Sequence, residues 1–169
     1  MAPASSDSPD LAQVATAFAV RARRYCSFLE TMRTLTPQVR IRTTIRLLTE
    51  LVGAATELPE LSDSDVDSGT EVERVTAPSF DFNTVDLYYE VFDPFVRDAL
   101  VLGSLSDDLG GIYVDLREGL DLMDGGHRND AIWQWRFGYQ THWGDHAVDA
   151  LRALHRLATG RGRDIAKDA

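Results

Sequence analysis

Along most of the chain, apolar residues recur in steps of three and four, the spacing that lines one face of an α-helix. Leu11, Ala15, Phe18, Ala22, Tyr25, Leu29 and Met32 form the first stripe; Ser8 is placed to cap it and Pro9 takes the first helical position. Thr36-Pro37 repeats that entry signal, and Ile41, Ile45, Leu48, Val52 and Ala55 follow until Pro59. So short a connection makes the first two helices antiparallel neighbours. After an unpatterned stretch, a brief helix is expected through Tyr88-Tyr89-Glu90-Val91-Phe92, ending before Pro94, with another turn or two over Phe95 to Leu102. Leu105, Leu109, Ile112, Leu116, Leu120 and Met123 form the next long stripe, with Ser104 and Asp107 at capping-box spacing and Gly125-Gly126 as its stop. The last pattern, Ile132, Trp135, Tyr139, Trp143, His146, Ala150, Leu154 and Leu157, predicts one helix from Asn129 or Asp130 to Thr159-Gly160. At about 1.5 Å per residue, its roughly 30 residues would extend some 45 Å and span the bundle.

The pattern as a whole predicts an all-α protein: a helical bundle of four main helices plus one or two short ones, with a long acidic loop between the helical pairs. Residues 1–7 form a disordered tail, 8–159 a single helical domain containing the acidic loop 58–78, and 160–169 a polar tail. A chain of 169 residues with a hydrophobic fraction of 44% sustains one core. No apolar run reaches the roughly 18 residues that cross a bilayer, and the N-terminus lacks the basic flank and apolar stretch of a secretory signal. A cytoplasmic protein without membrane contact is therefore expected. Cys26, the only cysteine, falls within the first helical stripe and reads as a small buried residue. The helical hairpin around Gly125-Gly126 has the local look of a tetratricopeptide unit, but a single unit cannot build a solenoid.

Net charge is −10, unevenly spread: residues 1–56 sum to +3, 57–130 to −15 and 131–169 to +2. So acidic a middle would repel the phosphates of nucleic acid. Asp63, Asp65 and Asp67 resemble the start of a calcium loop, but Ser68 stands where the turn needs Gly and Arg74 where a bidentate Glu is required. That loop is read as solvated.

Candidate chemistry gathers in the final pattern. His142 and His146 are one helical turn apart, and with Asp145 they spell H-x-x-D-H, a shortened-acid form of an inverted zinc-protease motif. Two such imidazoles bind a divalent transition metal if a third ligand arrives from another helix, and Asp108 and Asp115 are the candidates. On helical phase Asp145 turns toward solvent. The plainer alternative is a core-edge His146 hydrogen-bonded to an acid, with His142 partly exposed, and no cofactor at all. Arg136 has a phase inside the apolar stripe, where a guanidinium needs a partner, and Asp108 or Asp115, with Glu90 next, would supply it. Arg136, Asp108, Asp115, Trp135, Trp143 and His146 thus form either a buried ion-pair cluster or the lining of a cleft. Trp133 and Phe137 lie off this seam and are expected to pack internally under Tyr88, Tyr89 and Phe92 rather than against another chain.

The strings Tyr88-Tyr89-Glu90-Val91-Phe92-Asp93-Pro94, Gly103-Ser104-Leu105-Ser106-Asp107-Asp108-Leu109, Trp133-Gln134-Trp135-Arg136-Phe137 and His142-Trp143-Gly144-Asp145-His146-Ala147, with Tyr25-Cys26 and Phe28-Leu29-Glu30 upstream, resemble a bacterial family defined as domain of unknown function 5063 (DUF5063). The resemblance covers roughly residues 10–158 and implies a small, soluble, helical bacterial protein. It groups Asp107, Asp108, Trp135, Arg136, His142, Trp143 and His146 in one signature and supplies no activity. The leading expectation is a non-enzymatic protein-binding or regulatory module that engages a protein partner. The alternatives are a metal-dependent enzyme using His142 and His146, and a sensor of a small anionic ligand at Arg136.

Overall fold

The computed structural model describes residues 11–62, 74–79, 82, 85–97 and 99–161. Two long helices come first, α1 (Leu11–Thr31) and α2 (Pro37–Ala55), joined through a 3-10 turn at Met32–Thr34. A two-stranded antiparallel ribbon follows, β1 (Leu87–Val91) and β2 (Leu100–Ser104), and then α3 (Leu105–Asp124), α4 (Arg128–Thr141) and α5 (Trp143–Ala158). The fold is predominantly all-α, as the periodicity predicts. Ser8, Pro9, the acidic stretch 63–73 and the tail from 162 lie outside the described residues.

Where the brief third helix is expected, the chain forms the ribbon instead. The register pairs Tyr88 with Gly103, Tyr89 with Leu102 and Glu90 with Val101. Tyrosines, valines and leucines in runs this short suit a pleated strand better than one isolated helical turn. The turn is shaped by Asp93, whose Oδ1 accepts from the Phe95 amide at 2.9 Å.

The expected single long final helix is also corrected: it breaks at His142, whose backbone sits at φ −151°, ψ −83°. Gly144 explains the break. A Cβ there would stand 2.0 Å from the Tyr139 carbonyl oxygen, so the two turns close on each other only because residue 144 has no side chain. The rotation at His142 resets the phase of α5 relative to α4.

Helix α1 lies against α2 and α3, α2 against α5, and α3 against both α4 and α5. Tyr113 donates to Glu30 at 2.9 Å and Arg23 pairs with Asp124, which fixes α1 and α3 antiparallel. The centre is aromatic. Trp135 and Trp143 are fully buried, with Phe18 4.8 Å and 6.3 Å from their rings. Each buried polar tip has a carbonyl: Trp135 Nε1 donates to Leu116 at 3.2 Å, Trp143 Nε1 to Trp135 at 3.0 Å, and the Tyr25 hydroxyl to Leu109 at 3.1 Å. No helix among the described residues is long and apolar enough to cross a membrane.

Cys26 is buried in this core, and burial pushes its thiol up to about 12. Only the thiolate reacts. An aromatic disulfide reagent at about pH 8 is therefore expected to label Cys26 no faster than the chain unfolds; rapid labelling of the native protein would contradict its placement.

Candidate functional site

The ribbon is fastened to the start of α3 by residues on both sides of it. Ser104 ends β2 and caps α3, its hydroxyl oxygen accepting from the Asp107 amide at 3.2 Å, as the capping-box spacing predicts. Asp86, just before β1, accepts from the Ser104 hydroxyl at 2.8 Å, the Ser106 amide at 2.9 Å and the Ser106 hydroxyl at 2.7 Å. These bonds lay one face of the ribbon, carrying Tyr88 and Glu90, over the first turns of α3 and α5.

Two imidazole–carboxylate couples link α3 to the α4–α5 break, and the first of them meets Tyr88 of the ribbon. His146 Nδ1 is 2.9 Å from Asp108 Oδ1, and the other oxygen of Asp108 accepts from the Tyr88 hydroxyl at 2.5 Å. His142 Nδ1 is 2.7 Å from Asp115 Oδ2. The carboxylates are the buried members, 5% exposed for Asp108 and 14% for Asp115. With an ionised carboxylate as acceptor, each Nδ1 carries a proton, and a ring in its neutral form has its lone pair on Nε2. The rings meet edge to face at 4.8 Å, above Gly111, whose Cβ position lies 3.6 Å from His142 Cε1 and 3.7 Å from His146 Nε2.

The electrostatics are dominated by carboxylates. The hydrogen bond to Asp108 raises the pKa of His146 against the opposing effect of burial. Burial first, then the bond to Asp108, lifts Tyr88 well above the usual phenol value. Asp149 on α5 is pushed up to about 6 by burial, by the Glu90 charge and hydrogen bond, and by Asp108 and Asp145. The Glu90 carboxylate is hydrogen-bonded toward Asp149 and Tyr88, while its buried Oε2 atom has no donor of its own among the described residues.

The model of the family described as a domain of unknown function, DUF5063, matches residues 9–159. The chain belongs to the DUF5063 family. Among solved structures, this DUF5063 protein is similar to the crystal structure of protein BF1032 from Bacteroides fragilis, with a TM-score of 0.68 at 20% identity, covering 86% of this chain and 95% of that one. At that identity the likeness shows the shared fold. No protein of curated function matches.

Several residues of this DUF5063 chain sit differently from their expected places. Arg136 reaches neither Asp108 nor Asp115: its Nη1 donates to the Leu58 carbonyl, and its Nη2 lies 3.7 Å from Glu60. It clamps the chain leaving α2. The expected pairing assumed one helical phase through residue 146, and the break at His142 removes that phase. Trp135 and Trp143 are fully buried in the core. Asp108 and Asp115 stand on the Nδ1 atoms of the histidines rather than beside Nε2 as ligands. Among the described residues, no three His, Cys, Asp or Glu side chains are gathered in ligating geometry. Trp133 and Phe137 stack on each other at 4.7 Å, with Phe137 half exposed and Tyr89 and Phe92 exposed. Tyr88, Asp86 and Asp149 are not legible as site residues, and Glu90, expected only as a third candidate partner for Arg136, lies instead by Asp149 and Tyr88. The one available signal was the alternation of Tyr88 and Glu90, which puts both on a single strand face.

Proposed function

We propose that this DUF5063 protein is a non-enzymatic protein-binding module whose docking element is the β1–β2 ribbon. The partner is an extended segment of another protein, apolar at alternate positions and flanked by basic residues. What supports this reading is the ribbon's outer face: Leu87, Tyr89, Leu100 and Leu102 are all exposed, with Tyr89 at 68%, and the turn adds Phe92 at 84% and Phe95 at 97%. Soluble monomers rarely leave so continuous an apolar surface open to water without using it. A two-stranded ribbon also offers unpaired backbone at its outer edges and is marginal by itself, so a third strand completes it. Addition of a strand gives affinity through main-chain bonds and selectivity through alternate side chains. The −15 sum over residues 57–130 favours basic flanks on the incoming segment.

A synthetic peptide of about ten residues, alternating valine and threonine between lysine pairs, serves as the probe. Its binding is expected to slow amide exchange in Leu87–Val91 or Leu100–Ser104. Leu102→Asp and Leu100→Asp should abolish this while leaving helical circular dichroism unchanged. Equal binding by these variants, no protection in the ribbon, or a chain that instead doubles its mass through the ribbon would overturn the proposal.

A further inference from the structure

We propose that the carboxyl groups of Glu90 on β1 and Asp149 on α5 form a proton-operated latch: a proton shared between them fastens the inner face of the ribbon to α5, and its loss sets two negative charges against each other across that contact. The latch concerns how the ribbon is held and stands whatever docks on its outer face.

The first support is where the fold puts the two carboxyls. Tyr88 and Glu90 share one face of β1, and the Tyr88 hydroxyl pins that face to Asp108, which also holds His146. From this anchor, two residues along β1 lead to Glu90, and three along α5 lead from His146 to Asp149 on the same side of the helix. Those steps advance about 6.8 Å and about 4.5 Å, so strand and helix carry their second pair of side chains to one place. There the two carboxyls are hydrogen-bonded to each other, and both side chains are half-buried. Two ionised carboxylates offer acceptors only, so such a bond exists only while one of them keeps a proton.

The second support is that no cation takes the proton's place. Asp149 is faced by Glu90 from β1, by Asp108 from α3 and by Asp145 from α5 itself. Tyr88 and His146 are both turned to Asp108, and His142 to Asp115. The elements α2 and α4 also pack on α5, but among the described residues Glu50 is paired with Arg24, and Arg136 lies against Leu58 and Glu60. The other described arginine pairs run to Asp124 and Asp121, which leaves both latch carboxyls without a guanidinium.

Burial, then the Glu90 charge and hydrogen bond, push Asp149 from 3.8 up to about 6 while the ribbon is seated. Lifting the ribbon returns the group toward 3.8. The seated form thus holds the proton more tightly, so the stabilisation is complete below about pH 4 and is lost as pH rises through about 6. Between about pH 7.5 and about pH 5 the ratio of seated to lifted ribbon changes about tenfold. Above that range the ribbon is left on Tyr88–Asp108 and on the bonds of Asp86 to Ser104 and Ser106.

Amide exchange of the full chain, corrected for the pH dependence of exchange in an unfolded peptide, reads the latch with no partner present. Protection of Leu87–Val91 should rise about tenfold from about pH 7.5 to about pH 5, beyond any change shared by α1 and α2. In Asp149→Asn the side-chain amide donates to Glu90 at any pH, so protection of the ribbon at about pH 7.5 should match that of the wild type at about pH 5, and the rise should vanish. Glu90→Gln should flatten the rise likewise and move the midpoint of Asp149, followed by its carboxyl carbon resonance, below about 6. Should both variants fail to fold, the wild-type titration of Asp149 carries the test, and a midpoint at 3.8 would overturn the proposal. Ribbon protection that is flat with pH in the wild type, or a rise that persists in folded Asp149→Asn, would overturn it as well.

Discussion

Gly119→Ala is expected to lower stability by roughly 2–4 kcal/mol, from overpacking and loss of a buried hydrogen bond. The added Cβ would stand 2.1 Å from Trp135 Nε1, in a core where that indole is fully buried. Trp135 must swing aside, which breaks its bond to the Leu116 carbonyl and pushes against Phe18. In a chain of this size, the melting midpoint should fall by about 10 °C. Gly53→Ala in α2 is the matched comparison, because nothing stands within 4 Å of its Cβ position. There alanine is expected to raise stability by about 0.5–1 kcal/mol, through backbone entropy and helix propensity. Thermal unfolding of both variants checks the placement of Trp135; equal midpoints would mean that α3 and α4 do not pack this closely.

The second large effect is expected at Asp108. Its two oxygens hold Tyr88 from the ribbon and His146 from α5, so Asp108→Ala strands two polar groups and should cost about 2–3 kcal/mol. Asp108→Asn is the finer variant, since an amide oxygen still accepts from Tyr88 but the uncharged group no longer favours an imidazolium. In metal-free buffer, the pKa of His146 is raised in the wild type and should drop in Asp108→Asn, read from the ring proton resonances. The folded state holds that proton more tightly than the unfolded chain does. The stabilisation is therefore complete below the unfolded value of about 6.5 and is lost as pH rises through the folded one. The stability gap between wild type and Asp108→Asn should be widest near about pH 6 and shrink toward about pH 9. A gap that widened with pH would contradict the His146–Asp108 couple.

The long helices were legible because their burial repeats every three to four residues: Phe18, Tyr25 and Leu29 on α1, and Leu109, Ile112, Leu116 and Leu120 on α3, all lie in the core. The Ser104–Asp107 cap was legible because it is local. The ribbon was not, since five residues of Leu, Tyr, Glu and Val fit one helical turn or one strand, and only pairing with Leu100–Ser104 decides between them. Nor was the break at His142, which depends on Gly144 meeting the Tyr139 carbonyl in space. That miss propagated. With phase carried straight through residue 142, Arg136 fell on the same face as Trp143 and Ala147, whereas the folded chain turns it to Leu58 and Glu60. His142, His146, Asp108 and Asp115 could be nominated from residue type and spacing. Which nitrogen meets which oxygen could not, because that depends on the antiparallel fit of α3 against α4 and α5.

The central claim is that the ribbon is held from its inner face by Asp108 of the His146–Asp108 couple, through Tyr88, and that this leaves its apolar face outward. Amide hydrogen exchange of wild type and Tyr88→Phe measures it most directly. Losing one hydrogen bond of about 1 kcal/mol should speed exchange in Leu87–Val91 and Leu100–Ser104 roughly fivefold, with α1 and α2 unchanged. Identical exchange across the ribbon in the two proteins would show that the Tyr88–Asp108 bond does not hold it in place.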